Sequence, residues 1–416
     1  MTSIAGADWF SDPALRRVLD LLNGEGAETR IAGGAVRNSL MGVPAGDIDL
    51  ATTLTPDAIV SRAQSAGIRS VPTGIAHGTV TLVVDGVPFE VTTLRRDVAT
   101  DGRHAEVAFT DDWKADAERR DLTINALYAD RSGTVVDLVG GLADIETRTV
   151  RFIGRAEDRV AEDHLRILRF FRFFAFYGAG RPDAEGLRAC ARARGSLAKL
   201  SAERVWSETK KLLSAPDPGR ALLWMRQAGI LTEILPETEK WGIDAIPALI
   251  KAEAAFGWEA EPLVRLAAMV PPDPERLAAL GARLRLSRAE QAFLAGWAEA
   301  PALTETMADT TLERLLYRHG RHGIATRIRL SLALARAASG DDPSRMAAVA
   351  AWSRRLAHAL EWKKPVFPVS GADLLAAGMV AGPDLGETLS RLEERWVAGN
   401  FRAGKADLLK DLPIVR

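Results

Sequence analysis

Cysteine is almost absent from this chain: one residue in 416, Cys190. A single thiol excludes an internal disulfide and any zinc site built on thiolates, and it points to a reducing compartment. No apolar stretch approaches the roughly 18 residues of a membrane span, and no basic segment precedes an apolar run in the opening MTSIAGADWFSDPALRRVLDLL. The expected location is the cytoplasm, with no membrane association. Neither GxxxxGK followed by Ser or Thr nor GxGxxG occurs, which removes the P-loop and dinucleotide-binding readings. Internal repeats and low-complexity tracts are lacking too.

Net charge is also nearly absent, at −1, and an even spread of it would argue against a nucleic-acid partner. The spread is uneven. From His164 to Lys199 there are eight Arg or Lys (Arg166, Arg169, Arg172, Arg181, Arg188, Arg192, Arg194, Lys199) against two acids, Asp183 and Glu185. Such a strip fits a polyanion lying along one surface, or a solvated helical face. What the chain has in quantity is apolar content, 47%, in a length of about two to four domains. Pro13 to Leu22 reads as an amphipathic helix. Residues 46–51, 78–84, 87–94 and 134–137 read as strands, with Asp85-Gly86 as a hairpin turn between the second and third. From about Ala156 the strand signals stop and helical spacing takes over, broken at residues 216–218, 271–274 and 339–343. The fold class is α+β, a small α/β unit followed by helices.

Chemistry concentrates in four stretches. Residues 31–52, IAGGAVRNSLMGVPAGDIDLAT, join a glycine pair to two aspartates one residue apart. Gly33 and Gly34 allow a backbone to approach a phosphate closely, and Arg37 adds fixed charge. Asp47 and Asp49, on one face of a strand, suit divalent cations held against the same phosphates. In residues 88–95, PFEVTTLR, Glu90 becomes a third carboxylate near the metals if its strand lies beside that of Asp49; otherwise it is an ordinary solvent-facing acid. The polar, turn-rich residues 96–112 read as a mobile loop over the site.

Residues 119–130, RRDLTINALYAD, carry Arg119 and Arg120 for phosphate oxygens and Asp121 for ribose hydroxyls. Asn125 lies one helical turn on, beside an apolar helical stripe of Leu122, Ala126 and Leu127. Capping and salt bridges explain that segment equally well in isolation. In residues 161–174, AEDHLRILRFFRFF, one continuous helix puts Glu162, Arg166 and Arg169 on one face, with Asp163 a turn before Arg166. Asp163 can accept from an exocyclic amine while Arg166 donates to a ring nitrogen or carbonyl, the pattern shared by cytosine and adenine. The alternative is an exposed intrahelical salt bridge.

Together these motifs resemble the class II tRNA nucleotidyltransferases (CCA-adding enzymes) and their relatives the bacterial poly(A) polymerases. GGAVRN followed by DID resembles the family's metal and triphosphate motif, RRDLTINAL its ribose motif and EDHLRILRFFRF its nucleobase-reading helix. The match is strong over residues 28–215, including LSAERVWSETKKLL at 200–213, which resembles the segment supporting the base-reading helix. It is looser beyond. Asn38 stands where the family often has Asp, and His164 where Pro is common.

The resemblance implies a polymerase-β-type nucleotidyltransferase head at residues 1–152. A helical neck at 153–215, a body at 216–300 and a tail at 301–416 would follow. It implies two Mg²⁺ ions on Asp47 and Asp49, and CTP and ATP as substrates; Glu90 stays a candidate third ligand from the strand reading alone. Gly33, Gly34 and Arg37 would meet the triphosphate, Arg120, Asp121 and Asn125 the phosphate and sugar, and Asp163 with Arg166 the base. Glu162, Arg169 and Arg172 would support that helix or the phosphates. The partner would be tRNA. CCA addition is favoured over poly(A) synthesis by TGIAHGTVTLV at 73–83, by DGRHAEV in the loop after Arg95, and by a C-terminal KADLLKDLPIVR without a long basic tail. None of the six histidines is followed by Asp, so an HD phosphohydrolase domain is not expected. A catalytically silent RNA-binding protein would have no need of Asp47, Asp49 and the base-reading face.

Overall fold

The computed structural model of the protein describes residues 2–101, 104–239, 242–340 and 342–410. Gly102 and Arg103 of the DGRHAEV stretch, and residues 411–416 of the C-terminal segment, lie outside them. The chain forms two compact units, Met1–Ile234 and Leu235–Arg416.

The first unit is built on a seven-stranded sheet. Its strands are β1 (Thr29–Ala32), β2 (Asp49–Thr52), β3 (Arg69–Gly74), β4 (Thr79–Val84), β5 (Val87–Thr93), β8 (Leu127–Ala129) and β9 (Val135–Asp137). They run in the order β3-β4-β5-β2-β1-β8-β9. Between β5 and β8 the chain forms a separate antiparallel pair, β6 (Arg95–Asp101) and β7 (His104–Phe109). Most of the residues read as a loop over the site, 96–101 and 104–109, are therefore paired antiparallel strands, because backbone pairing can order a polar segment.

Period-two alternation explains β4, in which Val80, Leu82 and Val84 are buried and the residues between them half-exposed. Asp85 and Gly86, with φ of 51° and 83°, supply the two positive-φ positions of a tight hairpin into β5. The β2–β5 pairing is parallel and sets Asp49 opposite Glu90. Before the sheet, α1 (Pro13–Leu22) buries Leu15, Val18, Leu19 and Leu22; Asp12 caps it by accepting from the Ala14 and Leu15 amides. Next come α2 (Gly34–Leu40), α3 (Pro56–Ser65), α4 (Trp113–Glu118) and α5 (Gly141–Glu146).

Helices α6 (Ala156–Glu162), α7 (Leu165–Tyr177), α8 (Ala184–Arg192), α9 (Ala202–Leu213), α10 (Gly219–Gln227) and α11 (Ile230–Ile234) complete the unit. α7 buries Ile167, Leu168, Phe170, Phe171 and Phe174, while Arg166, Arg169, Arg172 and Phe173 line the cavity described below. The basic strip is thus not one surface: three arginines face the cavity, and Arg181, Arg188, Arg192, Arg194 and Lys199 are exposed. Cys190 is fully buried on α8, and burial pushes its thiol pKa up, as befits a small core residue.

The second unit is helical among its described residues, from α12 (Ala245–Phe256) through α13 (Pro262–Ala267), α14 (Pro274–Arg283), α15 (Arg288–Glu299), α16 (Asp309–Ser339), α17 (Pro343–Glu361), α18 (Gly371–Ala376) and α19 (Pro383–Ala398) to α20 (Lys405–Leu409). Leu312, Leu316, Ile324, Ile328 and Leu332 of α16 pack with Trp352 and Leu356 of α17. A second cluster gathers Leu374, Leu392, Trp396 and Leu408. Among the described residues no helix is long and apolar enough to cross a membrane.

Candidate active site

A cavity of about 920 Å³ opens in the first unit, large enough for a nucleotide. One wall comes from the sheet. Gly33 takes φ 68° and ψ −112° at the start of α2, a conformation that strains any residue with a Cβ. That Cβ would also lie 3.3 Å from the Asn125 carbonyl oxygen and 3.4 Å from Arg120 Nη1. The glycine therefore lets the turn sit directly against both.

Asp49 opens β2, whereas Asp47 sits in the bend just before it, so the two aspartates do not share a strand face by alternation. They nevertheless line the same wall as Glu90. Asp49 keeps an open face, yet partial burial first, then Glu90 and Asp47, push its pKa up to about 6, with Arg120 opposing. Among the described residues no group of three or more His, Cys, Asp or Glu is arranged to hold a metal ion by itself.

Arg37 is buried, and its guanidinium is occupied from within. It donates to Asn125 Oδ1, to Asn38 Oδ1 at 2.9 and 3.1 Å and to the Tyr177 hydroxyl at 2.7 Å, and it lies 4.0 Å over the Tyr177 ring. Burial lowers its pKa, and Tyr177 offsets this. Asn38 also donates to the Pro44 carbonyl at 2.8 Å, which ties α2 to the loop carrying Asp47.

The stretch at 119–130 is not a helix. α4 ends before it, Leu122 bridges to Phe152, Thr123–Asn125 form a 3-10 turn, and β8 begins at Leu127. The expected Asp121–Asn125 contact forms by this other route, Asn125 Nδ2 donating to Asp121 Oδ1 at 3.3 Å. Asp121 Oδ2 accepts from Arg169 Nε at 2.6 Å. Burial works to raise the Asp121 pKa, but Arg169 overrides it and holds the carboxyl below its usual range.

The stretch expected to read the base departs in the same way. Asp163 has φ −149° and ψ 110°, so it separates α6 from α7 instead of lying within one helix. Its Oδ1 accepts from the Leu165 amide at 3.0 Å and its Oδ2 from Arg204 Nη2 at 2.7 Å. Arg166 instead pairs with Glu162, which also accepts from Arg159 at 3.0 Å, and Arg166 donates to the Arg119 carbonyl at 3.5 Å. Asp163 and Arg166 thus have separate side-chain partners, while the Arg166 amide donates to the Asp163 carbonyl at 3.0 Å and both residues line the cavity. Arg172 donates through Nε to Glu208 at 2.6 Å.

The cavity gathers every sequence-selected residue except Glu162, which acts on it through Arg166. Sequence reasoning missed Arg204 and Glu208, although both stand in the LSAERVWSETKKLL segment at i and i+4, facing the charged side of α7. It also missed Tyr177, one turn after Phe173, and Asp116, three and four residues before Arg119 and Arg120. Helical pair spacing was the available signal for all four.

Residues 29–151 match the Poly A polymerase head domain, and residues 182–241 match the family described as probable RNA and SrmB-binding site of polymerase A. Over 405 residues, 95% of this chain and 88% of the relative, the chain is 35% identical to CCA tRNA nucleotidyltransferase 1, mitochondrial, of Mus musculus. With the CCA-adding enzyme of Streptococcus pneumoniae (strain ATCC BAA-334 / TIGR4) it shares 32% over 394 residues, 92% of each chain. The Bacillus stearothermophilus CCA-adding enzyme in complex with CTP superposes with a TM-score of 0.67 at 27% identity, covering 96% of this chain and 94% of that one. The Thermotoga maritima CCA-adding enzyme complexed with tRNA has the same fold, with a TM-score of 0.66 at 20% identity over 98% and 97% of the two chains. Identity at this level, carried through both units and not only through the cleft, means that the chain belongs to the family of CCA-adding tRNA nucleotidyltransferases.

Proposed function

We propose that the chain is a template-independent tRNA nucleotidyltransferase adding C, C and A to the tRNA 3′ end from CTP and ATP, with release of pyrophosphate. The observation that carries this reading is the likeness to enzymes of that name along 92% or more of the chain. In this reading residues 1–152 carry the chemistry and 153–215 the choice of base, while 216–300 and 301–416 hold the tRNA.

The carboxylate wall fits Mg²⁺ chemically. It offers hard oxygen donors without a closed protein cage, and Mg²⁺ is usually held by one or two carboxylates together with water and substrate phosphates. Asp47 and Asp49 would hold the ions, with Glu90 beside them. When bound, the two metals lower the pKa of the primer 3′-hydroxyl and neutralise charge on the α-phosphate and pyrophosphate. Arg119 and Arg120 bring fixed positive charge to the triphosphate, and the Gly33 turn lets the backbone approach it. Asp121, held by Arg169, and Asn125, held by Arg37, present fixed acceptors and donors to the ribose. Asp163, steadied by Arg204, and Arg166, steadied by Glu162, face the base edge. In-line transfer needs positioning and charge more than covalent help from the protein, and these paired side chains provide the positioning.

The test is incubation of the purified protein with tRNA ending before CCA, Mg²⁺ and labelled NTPs. The expected product stops after C, C and A. A long A tail would select poly(A) synthesis, and no incorporation would end the reading.

A further inference from the structure

Behind the cavity wall lies a carboxylate with no place in the chemistry so far. Asp116 of α4 is 1% exposed, and the cavity lining includes Arg119 and Arg120 but not Asp116 itself. Its Oδ1 accepts from Arg119 Nε at 2.8 Å and Nη2 at 2.7 Å. Its Oδ2 accepts from Arg120 Nε at 3.2 Å and Nη2 at 3.1 Å, and from the Tyr128 hydroxyl at 2.7 Å. The amide of Arg95, where the β6–β7 hairpin leaves the sheet, points to the same Oδ1 at 3.4 Å. With Nε and Nη2 occupied by Asp116, Arg120 has Nη1 left for the Asn125 carbonyl at 3.3 Å, beside the Gly33 turn. A guanidinium fixed on three sides presents one orientation to the cavity.

We infer that Asp116 is a positioning residue of the transfer reaction: it gathers Arg119 and Arg120 from behind and aims Arg120 at the junction of the glycine turn and the carboxylate wall, where the triphosphate must lie. The inference rests on the proposed nucleotidyl transfer. It also has a sign that simple charge does not share. Two guanidinium groups and one carboxylate sum to +1, and removing the carboxylate charge leaves +2. If charge alone mattered, Asp116→Asn would tighten binding of any triphosphate. If orientation matters, binding persists and turnover falls, because the arginines are present but no longer held in the geometry of the transition state.

The experiment measures single-nucleotide addition to tRNA by wild type and D116N, with CTP and with ATP. Positioning predicts kcat lowered by about 10- to 100-fold for both nucleotides, KM within about threefold of wild type, and an unchanged CTP-to-ATP preference, because the base-reading side chains are untouched. An unchanged kcat, or a loss confined to one base, would overturn it. Tyr128→Phe deletes one donor and leaves both ion pairs in place; it is expected to change kcat less than about twofold, and a loss as large as that of D116N would mean that packing, not arginine placement, is what matters. Should D116N fail to fold, Arg120→Lys keeps the charge but loses the fork; lowered kcat at constant KM supports the inference and unchanged kcat refutes it. A wild type that adds no nucleotide defeats the reading of function instead, so the two failures are distinguishable.

Discussion

The two walls of the cavity treat carboxylates in opposite ways. On the sheet side Asp47, Asp49 and Glu90 line one wall and form no ion pair among the described residues; burial first, then Glu90 and Asp47, push the Asp49 pKa up to about 6. On the helical side every acid has an arginine: Asp121 with Arg169, Glu162 with Arg166, Asp163 with Arg204 and Glu208 with Arg172. Unpaired acids held close together are costly to the fold and favourable to an arriving cation. Paired acids add no net attraction, but they fix where each guanidinium points. On the proposed reading the first wall binds ions and the second holds a shape.

Replacing Asp49 with Asn should produce the largest effect and should split function from stability. Nucleotide incorporation is expected to drop by about 10³-fold or more, several kcal/mol of lost transition-state stabilisation. Thermal stability in chelator should stay level or rise, because one of three mutually repelling charges is gone. tRNA binding should be nearly unaffected. A fall in melting temperature, or lost tRNA binding, would show that the pair is structural and that the two walls do not differ as described.

Glu208→Gln probes the opposite wall and should reverse the pattern. Glu208 is 5% exposed and takes a 2.6 Å bond from Arg172, whose side chain is 15% exposed, so the substitution removes the counter-charge of a largely buried guanidinium. Breaking such a pair costs about 3 kcal/mol, read as a lower unfolding midpoint of the first unit, with CTP and ATP use weakened alike. A loss below about 1 kcal/mol would mean that the introduced amide oxygen, still an acceptor, or solvent satisfies Arg172.

What the sequence made legible was local. The Asp85-Gly86 turn, α1 and the alternation of β4 follow from neighbours within a few residues. The glycine turn and the aspartates beside it are likewise contiguous, so that part of the wall comes from one stretch, and Glu90 joins it through the β2–β5 pairing. The helical wall resisted because its partners are distant: Asp163 meets Arg204 across 41 residues, and Arg169 meets Asp121 across 48. Its local geometry was misleading as well. The EDHLR spacing satisfies a helical period, yet Asp163 adopts extended backbone and spends one carboxylate oxygen on the Leu165 amide. Short Asx-type bonds of this kind compete with helix continuation, and spacing cannot reveal which wins. Residues 119–130 misled in the same way, since β8 is decided by pairing to β1 and β9 and not by its own apolar pattern.

Arg204 offers the smallest and most discriminating test of the shape-holding wall. Asp163 is fixed at both oxygens, one by the chain itself at Leu165 and one by Arg204. Arg204→Ala should leave the acceptor in place but free to rotate, whereas Asp163→Ala removes it. A well-formed base contact is worth about 1–3 kcal/mol of discrimination, so loosening its carboxylate should relax the preference for CTP and ATP over GTP and UTP by about tenfold, with kcat for the correct nucleotides within about threefold. Asp163→Ala should relax it further, measured in the same competition assay. Equal effects from the two would make Arg204 itself a reader of the base. No effect from Arg204→Ala alongside a large one from Asp163→Ala would mean that the incoming base displaces Arg204 and supplies the orientation, leaving shape to be completed by the substrate.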